Sequence, residues 1–214
     1  MRKYFVKTPW LLKKLYPGYV WDMRGSDSVY LSFDDGPHPE ITPWVMEELR
    51  RFDMKASFFC IGKNVVLHPE VYHGLHEQGH AVGNHTYHHK NGWLTKDAEY
   101  LEDVRMTVPL VRSSLFRPPY GRIRQSQAKQ IPAAMGNENA RIIMWDVLSG
   151  DFDAGISPQD CFYNVANHIR PGSIIVFHDS EKAFRNLKHA LPATLEYLEK
   201  NKLRSEKLEV FEAE

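Results

Sequence analysis

Short apolar runs alternate with amphipathic stretches along most of the chain. Several of the apolar runs lack polar alternation, which is typical of strands buried on both faces. These runs predict strands at 29–33, 56–60, 81–84, 115–117, 141–145, 173–177 and 203–208. The stretches between them predict helices at 42–52, 68–78, 95–108, 157–169 and 183–201, and Pro192 predicts a kink or junction in the last.

Strands separated by helices predict β–α units and therefore a parallel sheet, either closed as a barrel or doubly wound. The 214 residues suit one α/β domain, and no internal repeat or long linker divides them. We expect residues 29–214 to form this single domain. Residues 1–28 are basic and partly apolar, and we expect them to form an arm that packs over one end of the domain.

The arm holds no apolar segment of the length that a signal peptide needs, and no cleavage site of small residues. No part of the chain approaches the roughly 18 consecutive apolar residues of a membrane span. We therefore expect a cytoplasmic location. Peripheral membrane association through residues 10–14, WLLKK, is the alternative.

Composition adds two constraints. Lys plus Arg and Asp plus Glu both number 27, and the resulting net charge of zero argues against a nucleic-acid partner. Seven of the 11 histidines lie between His68 and His89, so metal binding is the first function to test. Cys60 and Cys161 are expected to be buried thiols. A monomer is assumed.

Polar clusters follow the predicted strands. They are Asp34-Asp35, NHTYHH at 84–89, RPPYG at 117–121, WDVLSGDFD at 145–153 and HDS at 178–180. Because the carboxyl ends of parallel strands meet at one face of the sheet, we expect these clusters to share that face. The shared position is a stronger indication of function than any one cluster.

The histidines and the paired acids predict a metal site. Two imidazoles and one carboxylate make a facial site that leaves positions open for water and substrate, and His85, His89 and one acid of the Asp34-Asp35 pair supply such a set. His88 is a competing ligand. The other acid of the pair would then serve as a base. A solvated histidine-rich loop and a helix-capping pair of acids are the alternatives.

Three further residues predict catalytic support. The Arg117 guanidinium suits a carboxylate partner, and the Tyr120 backbone N–H suits an oxyanion. His178 at a strand end suits a general acid. An arginine on the surface and a histidine satisfied inside the core are the corresponding alternatives.

Taken in order, SFDDGP, HTYHH, RPPYG and VFHDS resemble four motifs of the polysaccharide deacetylase family, the NodB-homology domain of carbohydrate esterase 4 type. The resemblance covers about residues 29–208. It implies a distorted (β/α) barrel, often seven-stranded, and a divalent metal, with zinc favoured and cobalt or nickel as the other candidates. The implied activity is removal of acetyl groups, N-acetyl in preference to O-acetyl, from a carbohydrate or glycan precursor.

The resemblance also implies a role for each matching residue. Asp34 would be the base, oriented by Arg117, and His178 the acid. The implied metal ligands are Asp35, His85 and His89, which leaves His88 without a role. The implied oxyanion and substrate contacts are the Tyr120 N–H, Pro119, Val176 and, just beyond the first motif, His38.

The fourth motif departs from the family pattern DxxDW. Asp151 keeps the second acid and is expected to support Arg117 or His178. Leu148 replaces the first acid, and Phe152 replaces the tryptophan of the groove wall. Two other activities therefore remain open: hydrolysis of a small cyclic amide or ureide, and carbohydrate binding without catalysis.

Overall fold

The computed structural model describes residues 4–209. Within them, parallel strands form a seven-stranded, curled sheet with helices packed on its outer side, as predicted for a single-domain distorted (β/α) barrel. The strands are β1 (Tyr30–Asp34), β2 (Ala56–Cys60), β3 (Ala81–Asn84), β4 (Leu115–Phe116), β5 (Arg141–Ile142), β6 (Val147–Leu148) and β7 (Ile174–His178). Their order is β5-β4-β3-β2-β1-β7-β6.

Helices separate most of the strands, as predicted, although residues 143–146 form none between β5 and β6, and helices at 10–15, 62–67, 125–128 and 131–135 were not predicted. The helices are α1 (Trp10–Leu15), α2 (Ile41–Arg51), α3 (Gly62–Leu67), α4 (Pro69–Glu77), α5 (Asp97–Thr107), α6 (Gln125–Ala128), α7 (Ile131–Met135), α8 (Pro158–Ala166) and α9 (Glu181–Lys200). A 3₁₀ turn at Pro119–Gly121 follows β4. No helix among residues 4–209 is long and apolar enough to cross a membrane.

Alternation along β1 sorts its side chains between the two faces. Leu31 and Phe33 pack outward in the main core with residues of α9, and the Phe33 ring stacks on Phe58 at 5.0 Å. Tyr30 belongs to a separate inner cluster. Because successive strand residues point to opposite faces, Ser32 and Asp34 lie on the inner side with Tyr30. Asp34 is therefore carried to the carboxyl end of the barrel interior.

The N-terminal residues join the two edges of the sheet. Val20 bridges to Ile143 beside β5, and Lys7 bridges to Val147 of β6. Backbone hydrogen bonds from the Val20 N–H to the Ile142 carbonyl, at 2.9 Å, and from Leu148 to Val6, at 2.8 Å, extend this pairing. The segment thus occupies the space between β5 and β6, which do not pair with each other.

One predicted strand is absent and another is shorter than predicted. Residues 203–208 form no strand, since Ser205 makes only an isolated bridge to Val29. The predicted strand at 141–145 ends early because the Met144 N–H bonds to the Val20 carbonyl, and the chain resumes as β6. Pro192 lies inside one continuous helix. Residues 1–3 of the predicted arm and 210–214 of the predicted domain lie outside the described residues.

Candidate active site

Asp34 is the last residue of β1 and is held by a buried arginine. Its Oδ1 accepts a hydrogen bond from Arg117 Nη1 at 2.7 Å, and both side chains are almost fully buried. The same Nη1 donates to Ser32 Oγ at 2.9 Å. Asp34 therefore has one carboxylate oxygen fixed by a permanent charge, and this arrangement orients the other.

Arg117 is anchored on all sides. Its Nε and Nη2 donate to the Ile143 and Met144 carbonyls, each at 3.1 Å, and its guanidinium stacks on the Phe59 ring at 3.9 Å. Burial lowers the pKa of Arg117, and the charge of Asp34 opposes this shift. The guanidinium is thus a rigid structural support for Asp34 rather than a surface group.

Asp35, His85 and His89, hereafter the Asp35 cluster, bring their ligand atoms within 4.8 Å of one another. Asp35 Oδ1 lies 3.1 Å from His89 Nε2 and 3.7 Å from His85 Nε2. Burial raises the pKa of Asp35, but a hydrogen bond from His89 and nearby histidine charges outweigh it and hold the pKa well below its usual range. One carboxylate oxygen and two imidazole nitrogens suit a divalent cation.

The tautomer of His85 fits a cation at this cluster. Its Nδ1 lies 2.7 Å from the Arg117 carbonyl, which can only accept, so Nδ1 carries the proton. Nε2, which lies 3.7 Å from Asp35 Oδ1, then has its lone pair available to a bound cation, an arrangement common among metal-binding histidines. Complete burial lowers the pKa of His85 to about 4, which keeps the ring neutral at ordinary pH.

His88 is engaged elsewhere. Its Nδ1 lies 2.6 Å from Asp103 Oδ1 of α5, and Asp103 Oδ2 accepts the backbone N–H groups of Tyr87 and His88 at 3.0 and 2.8 Å. Asp103 therefore fixes the loop that carries His85 and His89. Sequence reasoning missed it, because an acid on a helix 15 residues after His88 has no distinguishing local signal.

His178, at the end of β7, is oriented by Asp151. The His178 Nδ1 lies 2.8 Å from Asp151 Oδ1, and its backbone N–H donates to Asp151 Oδ2 at 2.7 Å. Burial disfavours the imidazolium, but the charge of Asp151 outweighs it and raises the pKa of His178 to about 9. Of the two predicted partners of Asp151, the structure brings it to His178.

Asp179, which the sequence places in the HDS cluster without a role, supports the Asp35 turn. The buried Asp179 Oδ1 accepts the Gly36 N–H at 3.0 Å, and its Oδ2 accepts a short hydrogen bond from the Thr42 hydroxyl. A Cβ on Gly36 would lie 2.1 Å from Asp179 Oδ2, so this position needs glycine. Burial raises the pKa of Asp179 to about 7. Asn64 Nδ2 also donates to the Asp35 carbonyl, at 2.8 Å.

The fourth-motif residues Phe152 and Leu148 lie beside His178 and β7. The Phe152 ring lies 5.1 Å from the His178 ring and 5.3 Å from the Tyr4 ring of the N-terminal segment. Leu148 pairs in register with Val176, and both are buried. Tyr4 of the N-terminal segment therefore contacts Phe152, and the sequence did not predict this contact.

The other predicted site residues differ in their contacts and burial. The Tyr120 ring lies 4.6 Å from His89 and is 60% exposed, and its backbone φ is 61°. Pro119 is buried at the start of the 3₁₀ turn. His38 Nδ1 accepts the N–H groups of Glu40 and Ile41 at the start of α2, so this nitrogen is occupied.

Comparison with known proteins gives consistent results. The sequence model described as polysaccharide deacetylase matches residues 22–140. A peptidoglycan-N-acetylglucosamine deacetylase from Bacillus cereus is 33% identical over 71% of this chain and 56% of its own length. A chitooligosaccharide deacetylase from Azorhizobium caulinodans is 33% identical over 73% of this chain and 75% of its own length.

Solved structures are similar over most of the chain. The crystal structure of a peptidoglycan N-acetylglucosamine deacetylase is 28% identical, with a TM-score of 0.79 over 94% of this chain and 95% of that one. A family 4 carbohydrate esterase from Streptomyces lividans is 25% identical, with a TM-score of 0.73 over 84% and 91%. The chain spans little more than half the length of the Bacillus cereus relative. The similarity therefore does not by itself assign the activity of that whole protein to this chain.

Proposed function

The chain belongs to the polysaccharide deacetylase family, and from that premise we propose that it is a metal-dependent hydrolase. It would remove acetyl groups from a carbohydrate or glycan precursor, N-acetyl in preference to O-acetyl. One observation carries the proposal. A candidate base held by Arg117, a candidate acid held by Asp151 and a cation-binding cluster converge at the carboxyl ends of β1, β3 and β7.

Asp35, His85 and His89 are the proposed metal ligands. Their donor set and the free Nε2 of His85 fit zinc, and also cobalt or nickel. A divalent cation held there would polarise the acetyl carbonyl and make a neighbouring water more acidic. The other steps fall to side chains of this chain.

Asp34 is the proposed general base. Arg117 fixes one of its oxygens, and the other is free to accept a proton from the attacking water. The short contact with the buried guanidinium holds the carboxylate in a fixed orientation for that transfer.

His178 is the proposed general acid. Asp151 holds its ring and favours the imidazolium, so at neutral pH the ring carries the proton that the departing amine nitrogen requires. We propose that the Tyr120 N–H donates to the oxyanion. Pro119, Val176 and Phe152 are proposed to border the acetyl group and the sugar, and His38 to border the groove.

An acetate-release screen tests this function. The substrates are N-acetylglucosamine oligomers, peptidoglycan fragments, acetylated xylan and a cyclic ureide, each with zinc, cobalt or nickel. We expect acetate from an N-acetylated sugar only when metal is present. Ring opening of the ureide without acetate release from any sugar would replace the proposal with a related amidohydrolase, and sugar binding without turnover would replace it with a binding protein.

A further inference from the structure

The short helix α1 presents its apolar side chains to solvent. No residue of α1 is buried, and Trp10, Leu11 and Leu15 are 71%, 52% and 62% exposed. Tyr16, the next residue, is 41% exposed. A surface helix of a globular domain ordinarily turns its apolar stripe toward the core. These four residues and Lys14, which is also exposed, are called the α1 surface below.

A lysine, and not an apolar residue, holds the helix in place. Lys13 Nζ lies 2.6 Å from Asp146 Oδ1 and 2.5 Å from Asp22 Oδ2, and these contacts fix the inward side of α1 against the barrel. The end of the helix is fixed as well, because Trp21 Nε1 donates to the Tyr16 carbonyl at 3.0 Å. The α1 surface is therefore held outward by charged and polar contacts.

The α1 surface lies at the end of the barrel away from the candidate active site. Asp146, to which Lys13 bonds, directly precedes β6, and it also accepts the hydroxyl of Ser173, just before β7. These contacts are at the amino ends of the two strands, whereas His178 is at the carboxyl end of β7. At about 3.3 Å per strand residue, Ser173 and His178 are roughly 16 Å apart along the strand. A surface bound through α1 would leave the candidate site facing away from it.

The charge around the helix favours an anionic partner. Residues 1–21 contain five basic residues and no acidic residue, although the net charge of the whole chain is zero. Two of the five, Lys7 and Lys13, are neutralised by aspartates. Lys14 has no acidic oxygen within 4.0 Å in the described part of the chain, and its Nζ lies 5.8 Å from the centre of the Trp10 ring. Exposed tryptophan, tyrosine and leucine beside lysine are typical of helices that lie in a membrane interface.

We propose that the α1 surface binds the interface of a bilayer that contains anionic lipid. Trp10, Leu11 and Leu15 enter the headgroup region, and Lys14 contacts lipid phosphates. The binding is peripheral, because α1 has six residues. A second copy of this chain is a poorer occupant, since two basic segments would repel each other. The α1 surface takes no part in the proposed reaction, so this inference does not depend on the proposed function.

Cosedimentation with vesicles tests the proposal. The wild-type protein is mixed with sucrose-loaded vesicles of phosphatidylcholine alone, or of equal parts of phosphatidylcholine and phosphatidylglycerol. We expect about fivefold tighter binding to the mixed vesicles, and we expect this preference to shrink in ~0.5 M salt. Equal binding to both kinds of vesicle, or binding to neither, would overturn the proposal.

Substitutions locate the binding surface. Leu11→Ser/Leu15→Ser should weaken binding to the mixed vesicles by about tenfold or more, and Lys14→Gln by about fivefold. Val66→Ser/Leu67→Ser changes an exposed apolar pair on the short helix α3, and as the matched control it should leave binding unchanged. Vesicle binding that survives Leu11→Ser/Leu15→Ser would overturn the proposal. So would light scattering that shows a vesicle-free dimer of the wild type and a monomer of this variant, because a second copy would then cover the surface.

Discussion

At the scale of single residues, the proposed role of His178 as general acid depends on the proton that its ring carries. Burial alone would favour the neutral imidazole of His178. Asp151 accepts its Nδ1–H, and this contact raises the pKa of His178 to about 9. The imidazolium is therefore complete below the usual value of 6.5 and is lost as pH rises through about 9. The stability that the charged contact between His178 and Asp151 gives the fold is likewise lost as pH rises through about 9.

The pH profile of turnover should show this acid. We expect kcat to fall on the alkaline side at or somewhat below pH 9, since a bound cation nearby disfavours the imidazolium. Asp151→Asn should move this limb to lower pH, because the charge that raises the pKa is gone. Glu181→Gln removes an exposed carboxylate near the site and is the control. An alkaline limb that stays in place in Asp151→Asn would remove His178 from the role of acid.

A pair of histidine variants distinguishes the metal ligands. His85→Ala should abolish stoichiometric binding of zinc, because it removes a buried nitrogen of the Asp35 cluster. His88→Ala should retain the metal, because its ring bonds to Asp103. Metal content after dialysis, measured by mass spectrometry, reports both. Zinc retained by His85→Ala and lost by His88→Ala would reverse the assignment.

At the scale of elements, every strand of four or five residues was predicted to within one residue. The pattern located β2 and β3 to the residue, because each is an apolar run ended by turn residues. The two-residue β6 was missed, since so short a strand has no periodicity. The strand at 203–208 was predicted from apolar residues that are buried without forming a strand. Leu208, for example, packs in the inner cluster.

The site was predicted in its members rather than in its geometry. The family resemblance of the short motifs gave the residues of the Asp35 cluster, whereas residue types alone left open which acid of the pair belongs to it and whether His88 does. Backbone conformation was not visible: Asp35, Thr86, His89 and Tyr120 all have positive φ, which only tertiary contacts impose on such residues. Asp103 was missed, and Asp179 was given no role, because both act on residues of other elements.

The loop between β3 and α5 offers a test of that support. Asp103→Asn should weaken zinc binding by about tenfold, because the loop that carries His85 and His89 loses a charged anchor. Titration of the metal-free protein with zinc against a competing chelator measures this. Glu102→Gln, the exposed neighbour on the same helix, should leave the affinity unchanged. Equal affinities in the two variants would show that Asp103 has no such role.

At the scale of the whole molecule, the N-terminal segment completes the barrel. The fully buried carboxylate of Asp146, just before β6, bonds to Lys7 at 2.5 Å, Lys13 at 2.6 Å and Ser173 at 2.7 Å. Burial raises the pKa of Asp146, but the two lysines and the serine outweigh it and lower the pKa. The network thus links the segment to both β6 and β7.

Removing one lysine should loosen this link. Lys13→Met should lower the free energy of unfolding by about 2–3 kcal/mol. This loss is smaller than that of a fully broken buried ion pair, because Lys7 still neutralises Asp146. The loss should shrink as pH falls through the lowered pKa of Asp146, where the pair no longer exists. Urea unfolding measures it, and the exposed Lys14→Met is the control. Equal stability of both variants would mean that the network contributes little.

We propose that Asp35 binds a metal while Asp34, fixed by Arg117, activates water. The most direct measurement is acetate release from an N-acetylglucosamine tetramer by wild type and Asp34→Asn, with the zinc content of both determined on the same samples. We expect one zinc per chain in each, and a loss in kcat of about 10²- to 10⁴-fold in Asp34→Asn, the usual contribution of a general base. Full turnover by zinc-loaded Asp34→Asn would contradict the account.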